Sequence, residues 1–189
     1  MQQYEMELCG VHRTLPFIAI GPDKAFASFV VLGDAELVAA CAGPLAKKIG
    51  PVDAVVTAEA KGIALAYAVT RELGLKEFIV ARKSVKSYMQ DVVSEEVHSI
   101  TTQGAQHLYL DGVDAEKIKG RRVCLLDDVI STGESITALE HLVKRAGGQV
   151  ACRAALLAEG DAANRKDIVF LQKLPLFAVS PDGNHTPLD

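Results

Sequence analysis

The sequence predicts an α/β fold, an open and mostly parallel sheet flanked by helices. Short apolar runs alternate with helical patterns through the middle of the chain. Val, Ile, Leu and Ala carry most of an apolar content of 49%, with no Trp, as suits strands buried on both faces. The strand–helix–strand spacing calls for right-handed crossovers, hence parallel strands. With 189 residues the chain fits one domain, so residues 1–189 are read as a single unit.

The elements follow in order. Thr14 to Ile20 and Ala25 to Leu32 are apolar runs separated by Gly21-Pro22-Asp23-Lys24, a turn signal, and predict a β-hairpin. Asp34 is placed to cap a helix that turns Leu37, Val38, Cys41 and Leu45 to one face. Pro44 inside that pattern should kink or divide it. Asp53 to Thr57 reads as a strand, Gly62 to Leu73 as a buried helix stopped by Gly74, and Glu77 to Ala81 as a second strand. Arg122 to Leu126 is a third strand. Glu134 to Ala146 is an amphipathic helix with Ile136, Leu139, Leu142, Val143 and Ala146 inward, and Gln149 to Leu157 is a fourth strand. Pro175 to Val179 is a candidate last strand, and Ser180 to Asp189 reads as a tail.

Ser84 to Gly104 breaks the alternation. It is polar, carries Lys86, Tyr88, Glu95 and Glu96, and shows no helical face. A long polar excursion inside a compact α/β domain reads as a functional lid. Val97 to Thr101 and Gln106 to Leu110 are its candidate hairpin arms, turning around Gly104.

Composition narrows the function. A formal charge of -4 gives no reason to expect nucleic-acid binding. Cys9, Cys41, Cys124 and Cys152 lack metal or redox spacing and read as reduced core thiols, and the histidines show no ligand spacing. Met1 to Glu7 lacks the apolar run of a signal peptide, and no stretch reaches the length of a membrane span. The expectation is a soluble cytoplasmic protein.

Three polar clusters fall at the carboxyl ends of the expected parallel strands, where open α/β sheets bind ligands. They are Ala58-Glu59-Ala60-Lys61-Gly62, Arg82-Lys83 and Asp127-Asp128-Val129-Ile130-Ser131-Thr132-Gly133-Glu134-Ser135. In the third, an apolar strand ends in two carboxylates and a loop of small hydroxyl residues leads into a helix. Ser131, Thr132, Gly133 and Ser135 can wrap a phosphate with N–H and hydroxyl groups, and the helix points its positive end at the same spot. Carboxylates beside such a loop suit a ligand with hydroxyl donors, and a ribose 5-phosphate offers both features. Lys61 at a helix start is disfavoured by the helix dipole, which makes a bound anion there attractive.

The run Val123 to Ser135 resembles the phosphoribosylpyrophosphate motif of the type I phosphoribosyltransferases. Arg13-Thr14-Leu15-Pro16, Ala27 to Gly33, Val55 to Ala64 and Ala81-Arg82-Lys83 resemble other pieces of the purine members, the adenine and xanthine enzymes above all. The resemblance spans roughly Arg13 to Leu157. It implies Mg²⁺-dependent transfer of the phosphoribosyl group to a purine base in nucleotide salvage, adenine slightly favoured. Xanthine, hypoxanthine-guanine or orotate specificity, or a non-catalytic sensor of the same fold, are the alternatives.

By the same resemblance, Asp127 and Asp128 contact the ribose hydroxyls directly or through Mg²⁺ and water. Val129 to Ser135 hold the 5-phosphate. Glu59, Ala60, Lys61, Gly62, Arg82 and Lys83 hold the pyrophosphate, with Lys61 counted with the Asp pair as catalytic. Residues 84–104, with Lys86, Tyr88, Glu95 and Glu96, form the lid. Residues 1–33 and 160–189 form a small hood over the base. The proton of the incoming base goes to the Asp pair, Glu95 or Glu96. The resemblance also implies a homodimer. Two departures stand out. The pyrophosphate loop reads Ala60-Lys61-Gly62 where adenine enzymes usually carry Ser-Arg-Gly, and the lid lacks their Ser-Tyr-x-Leu-Glu-Tyr run.

Overall fold

A computed structural model describes residues 2–97 and 106–188. The chain opens with three antiparallel strands, β1 (Gln3–Leu8), β2 (Val11–Ala19) and β3 (Lys24–Ala27), followed by helix α1 (Ala35–Ile49). Strand β4 (Ala54–Ala58), helix α2 (Ile63–Glu72) and strand β5 (Ile79–Ala81) come next. A hairpin of β6 (Val93–Val97) and β7 (Gln106–Leu110) leads to the short helix α3 (Gly112–Ile118). The second half holds β8 (Arg122–Ile130), α4 (Glu134–Arg145), β9 (Gln149–Glu159), a 3-10 turn (Gly160–Asn164), β10 (Val169–Leu174), β11 (Leu176–Val179) and β12 (His185–Leu188).

Five strands form the parallel sheet in the order β10-β9-β8-β4-β5, so the fold class expected from the sequence holds. Its central strands are apolar because both faces are covered. Cys124, Leu126 and Val55 pack on the face that carries α1 and α2, whereas Val123, Leu125 and Val56 pack on the face that carries α4. A second, antiparallel sheet runs β1-β2-β3-β11-β12 and joins the N-terminal hairpin to the C-terminal segment. Phe177 on β11 is 1% exposed and stands edge-on to Tyr4 and Phe17, at ring-centroid distances of 5.1 and 4.7 Å. The third unit, β6–β7, is tied to the edge of the parallel sheet by paired backbone hydrogen bonds of 2.8 Å between Arg82 and Tyr109. Among the described residues, no helix is long and apolar enough to cross a membrane.

Several expectations need correction. The helix from Ala35 is not divided at Pro44, although proline in a helix interior costs about 3 kcal/mol. Leu37, Val38, Cys41, Ala42, Leu45, Ala46 and Ile49 bury one continuous face, which outweighs that cost. The first lid arm begins at Val93, with Val93 opposite Leu110, so the expected arm from Val97 is displaced; residues 98–101 of it lie outside the described residues. The expected tail contains β12, which pairs with β11. The segment after Gly160 does not all belong beside the N-terminal hairpin, since β10 extends the parallel sheet next to β9. The polar N-terminus forms β1, and α3 had no sequence signal strong enough to read. Cys9 is exposed at the β1–β2 turn, unlike the buried Cys41, Cys124 and Cys152.

Asp34 links the antiparallel sheet to α1. Its carboxylate accepts from the Leu37 N–H at 3.1 Å as an N-cap and from both Nε and Nη2 of Arg13 on β2, at 2.7 and 2.8 Å. The Arg13 guanidinium holds the Asp34 carboxyl below its ordinary value. Its stabilising effect is therefore present above the ordinary carboxylate range and fades as pH falls through the lowered value. Asp34→Ala should cost about 1 kcal/mol through loss of the cap. Asp34→Asn keeps a capping oxygen and loses only the charge, so its stability deficit should close in acid. Urea denaturation of both variants across pH checks this; a deficit in Asp34→Asn that persists in acid would contradict the charge pairing.

Candidate functional site

The carboxyl ends of β4, β8 and β9 open into a cleft of about 740 Å³, roofed by the antiparallel sheet. Glu59, Ala60 and Lys61 line it from the loop after β4, Lys83 from the end of β5, and Asp127, Asp128, Val129, Ser131 and Ser135 from β8 and its loop. Ile20, Phe26 and Phe29 close the roof side, and Glu159 enters from the end of β9.

The acidic doublet does not follow a finished strand. β8 runs through Asp127 and Asp128 to Ile130, pairing with β9 as far as Ala158. Strand geometry thus fixes both carboxylates. Asp128 is 1% exposed, and its Oδ2 lies 3.4 Å from Lys61 Nζ yet has no hydrogen-bond partner. Burial, reinforced by the negative charge of Asp128, pushes the Asp127 carboxyl up to about 7. Ile130 turns its side chain into the core at 2% exposure and has only backbone to offer a ligand.

The loop after β8 has the composition that the sequence suggests; Asp127 and the run from Val129 to Ile136 line one small cavity of about 30 Å³, and the loop also borders two larger spaces. Ser131 and Ser135 face the main cleft, while Thr132, Gly133 and Glu134 border a second cavity of about 760 Å³ under the β6–β7 hairpin. Gly133 adopts φ +84 as the N-cap of α4, a left-handed conformation that favours glycine. A Cβ there would also come within 2.5 Å of Arg165 Nη1. Arg165, whose guanidinium is paired with Asp167 at 2.7 Å, thus packs against the loop from the C-terminal region.

The loop after β4 is bound tightly to its surroundings. Its Glu59–Ala60 peptide is cis. A side chain on Gly62 would run into the Thr57 hydroxyl and come within 3.6 Å of the Leu126 carbonyl oxygen. Glu59 accepts from the Lys83 N–H at 2.6 Å and from Arg82 Nε at 2.7 Å. Burial pushes its carboxyl up, but these donors outweigh that and hold it below the ordinary value. Arg82 also reaches the Tyr88 hydroxyl at 2.9 Å. Arg82 is thereby drawn away from the cleft lining, contrary to the expectation that it joins Lys83 there; the cations that line the cleft are Lys61 and Lys83.

The lid residues separate as well. Lys86 donates to Ser84 Oγ at 2.6 Å. Glu95 is anchored to α4, with Oε1 at 3.4 Å from His141 Nδ1 and Oε2 at 3.3 Å from Arg145 Nη2, and Arg145 also donates to the Ser94 carbonyl at 2.8 Å. Glu95 and Glu96 border the second cavity and not the main cleft. Glu159, Phe26, Phe29 and Arg165 were not anticipated. Glu159 did leave one signal, a carboxylate that ends an apolar strand as Asp127 does.

Residues 34–183 match the model of the phosphoribosyl transferase domain. The chain belongs to the phosphoribosyl transferase family. Over 156 residues it is 32% identical to the hypoxanthine/guanine phosphoribosyltransferase of Methanococcus vannielii, covering 80% of each chain. The match to the Methanococcus voltae protein of the same name, also 32% identical, spans 57% of that protein's length. The fold superposes on the adenine phosphoribosyltransferase of Thermoanaerobacter pseudethanolicus with a TM-score of 0.69 and 25% identity, covering 85% of this chain and 95% of the other.

The contact at Gly62 gives a direct test. Gly62→Ala should destabilise the protein by about 1–3 kcal/mol through overpacking against the Thr57 side chain. Chemical denaturation measures it, and an unchanged midpoint would mean the loop is free to shift.

Proposed function

We propose that this chain transfers the 5-phosphoribosyl group of phosphoribosylpyrophosphate to a purine base, releasing pyrophosphate and forming a nucleotide. The observation that carries the reading is the grouping in one cleft of Lys61 and Lys83, the Asp127–Asp128 pair, Ser131 and Ser135 at the two ends of their loop, and an apolar roof. Each part suits one part of the substrates. The serine loop at the start of α4 suits the 5-phosphate, with backbone N–H groups and the helix dipole supplying positive potential. The carboxylates suit the ribose hydroxyls. Lys61 and Lys83 suit the pyrophosphate, on which negative charge builds as the C1–O bond breaks. Ile20, Phe26 and Phe29 form a surface against which a planar base can lie.

Mg²⁺ fits this arrangement. Among the described residues, no three His, Cys, Asp or Glu side chains are grouped to hold a metal ion by themselves. Magnesium commonly needs only one or two carboxylates, with waters and substrate phosphates completing its shell. Asp128 Oδ2, which faces Lys61 but makes no hydrogen bond, is an acceptor beside Asp127 for such an ion or its waters. When bound, Mg²⁺ would neutralise charge on the departing pyrophosphate.

The antiparallel sheet would serve as the hood and the β6–β7 hairpin as the lid that keeps water from the activated sugar, all within one domain. Glu95, held by His141 and Arg145, is withdrawn from the candidates for taking the proton of the base. Adenine is placed ahead of hypoxanthine and guanine because the chain covers most of a solved enzyme carrying that name, while the methanogen relatives keep the other two in the panel. We also expect a soluble, cytoplasmic homodimer.

The test is pyrophosphate release from phosphoribosylpyrophosphate with Mg²⁺ and a panel of adenine, guanine, hypoxanthine, xanthine, orotate and uracil. Release with a purine is expected, together with a loss of about tenfold or more in Asp128→Asn, about 1.4 kcal/mol in the barrier. Binding of the sugar phosphate without release for any base would make the protein a sensor instead.

A further inference from the structure

The acidic side chains of the main cleft are not equivalent. Glu59 is committed to Arg82 and the Lys83 N–H, Asp128 faces Lys61, and an Asp127 oxygen accepts from the Asp128 N–H at 2.9 Å. Glu159 differs. Among the described residues it makes no hydrogen bond or ion pair, and Lys61 is the one charge that acts on it. It is nevertheless partly buried, and burial pushes its carboxyl above the ordinary value. A partly buried carboxylate without a donor is costly, and a ligand that brings a donor would offset the cost.

Its position narrows the choice of donor. Glu159 is the last residue of β9, and a Cβ on the next residue, Gly160, would lie 3.0 Å from the Leu176 side chain on β11. Leu176 in turn pairs with Phe26 on β3. The end of β9 therefore abuts the antiparallel sheet, on the side of the cleft where Phe26, Phe29 and Ile20 form the apolar wall. Phosphate and pyrophosphate are anions and would be repelled by Glu159. The ribose hydroxyls already have Asp127 and Asp128. What remains is a planar heterocycle lying against the aromatic wall, with N–H groups on its rim.

We propose that Glu159 is a specificity-determining residue that accepts a hydrogen bond from the 6-amino group of adenine. The inference rests on the phosphoribosyltransferase reading above and extends it to the rim of the base. The 6-oxo group of hypoxanthine or guanine at the same place would set two acceptors against each other, so the residue selects adenine over both.

Calorimetric binding of ribose 5-phosphate, AMP, GMP and IMP to the wild-type chain, Glu159→Leu and Glu159→Gln tests it without requiring turnover. In the wild type, AMP should bind more tightly than IMP and GMP by about tenfold, the usual scale of a hydrogen bond to a charged group. Glu159→Leu should erase that ratio and leave ribose 5-phosphate affinity within about twofold, while Glu159→Gln, which keeps an acceptor oxygen, should restore part of the ratio. A ratio of AMP to IMP and GMP that survives Glu159→Leu would overturn the proposal. So would an equal loss for ribose 5-phosphate and for the nucleotides, which would place Glu159 on the sugar. A wild type that binds no ribose 5-phosphate would sink the phosphoribosyl reading itself, and this inference with it.

Discussion

A carboxylate buried at the carboxyl end of a parallel sheet sets the terms for everything around it. Asp128 is 1% exposed, sits one residue from Asp127, and has Lys61 at 3.4 Å as its nearby cation. Taking such a charge out of water costs several kcal/mol unless opposite charge and hydrogen bonds compensate it. Lys61 supplies part of that compensation and one carboxylate oxygen is left without a hydrogen bond. A ligand with hydroxyl donors and a cation of its own would complete the balance. The folded chain thus keeps a buried acceptor without a donor on a strand paired on both sides within the sheet.

The surrounding charges are partitioned by competition. Glu59 holds Arg82 and the Lys83 backbone on one side of the cleft, and the Lys83 side chain still reaches the lining. Glu95 and Arg145 tie the β6–β7 hairpin to α4. Arg153, itself paired with Glu140 through its Nε at 2.7 Å, and Arg165, paired with Asp167, belong to a further set of ion pairs near the C-terminal end of the sheet. Each pairing removes a charge from the pool that a ligand could meet. Among the described residues, the charges that line the main cleft outside those pairings are Lys83, Asp127, Glu159 and the Lys61–Asp128 pair.

The division between the two sheets follows from hydrophobic patterning. The parallel strands are apolar on both faces and must be covered by helices, whereas β1 and β2 alternate exposed and buried residues and can face water on one side. Joining β3 to β11 brings residues about 150 positions apart into register, Phe26 opposite Leu176. That pairing closes the roof over the cleft and sets the apolar wall next to the end of β9.

The sequence by itself determined what is local and contiguous. The acidic doublet, the serine-glycine loop, the helix behind it, and the alternation of strands and helices are all written within a few tens of residues, where period and turn chemistry act directly. The parallel sheet and the grouping of three polar clusters at one edge follow from them. Only the tertiary structure decided which charges remain free. Arg82 looked equivalent to Lys83 until Glu59, 23 residues away, was found bound to its guanidinium. Glu95 looked like a catalytic candidate until α4 brought up His141 and Arg145. Glu159 gained its meaning from Phe26 and Leu176, which lie on two strands of another sheet. Periodicity reports the face a side chain turns to, but a charge's partner depends on long-range register, and that is fixed when the whole core packs.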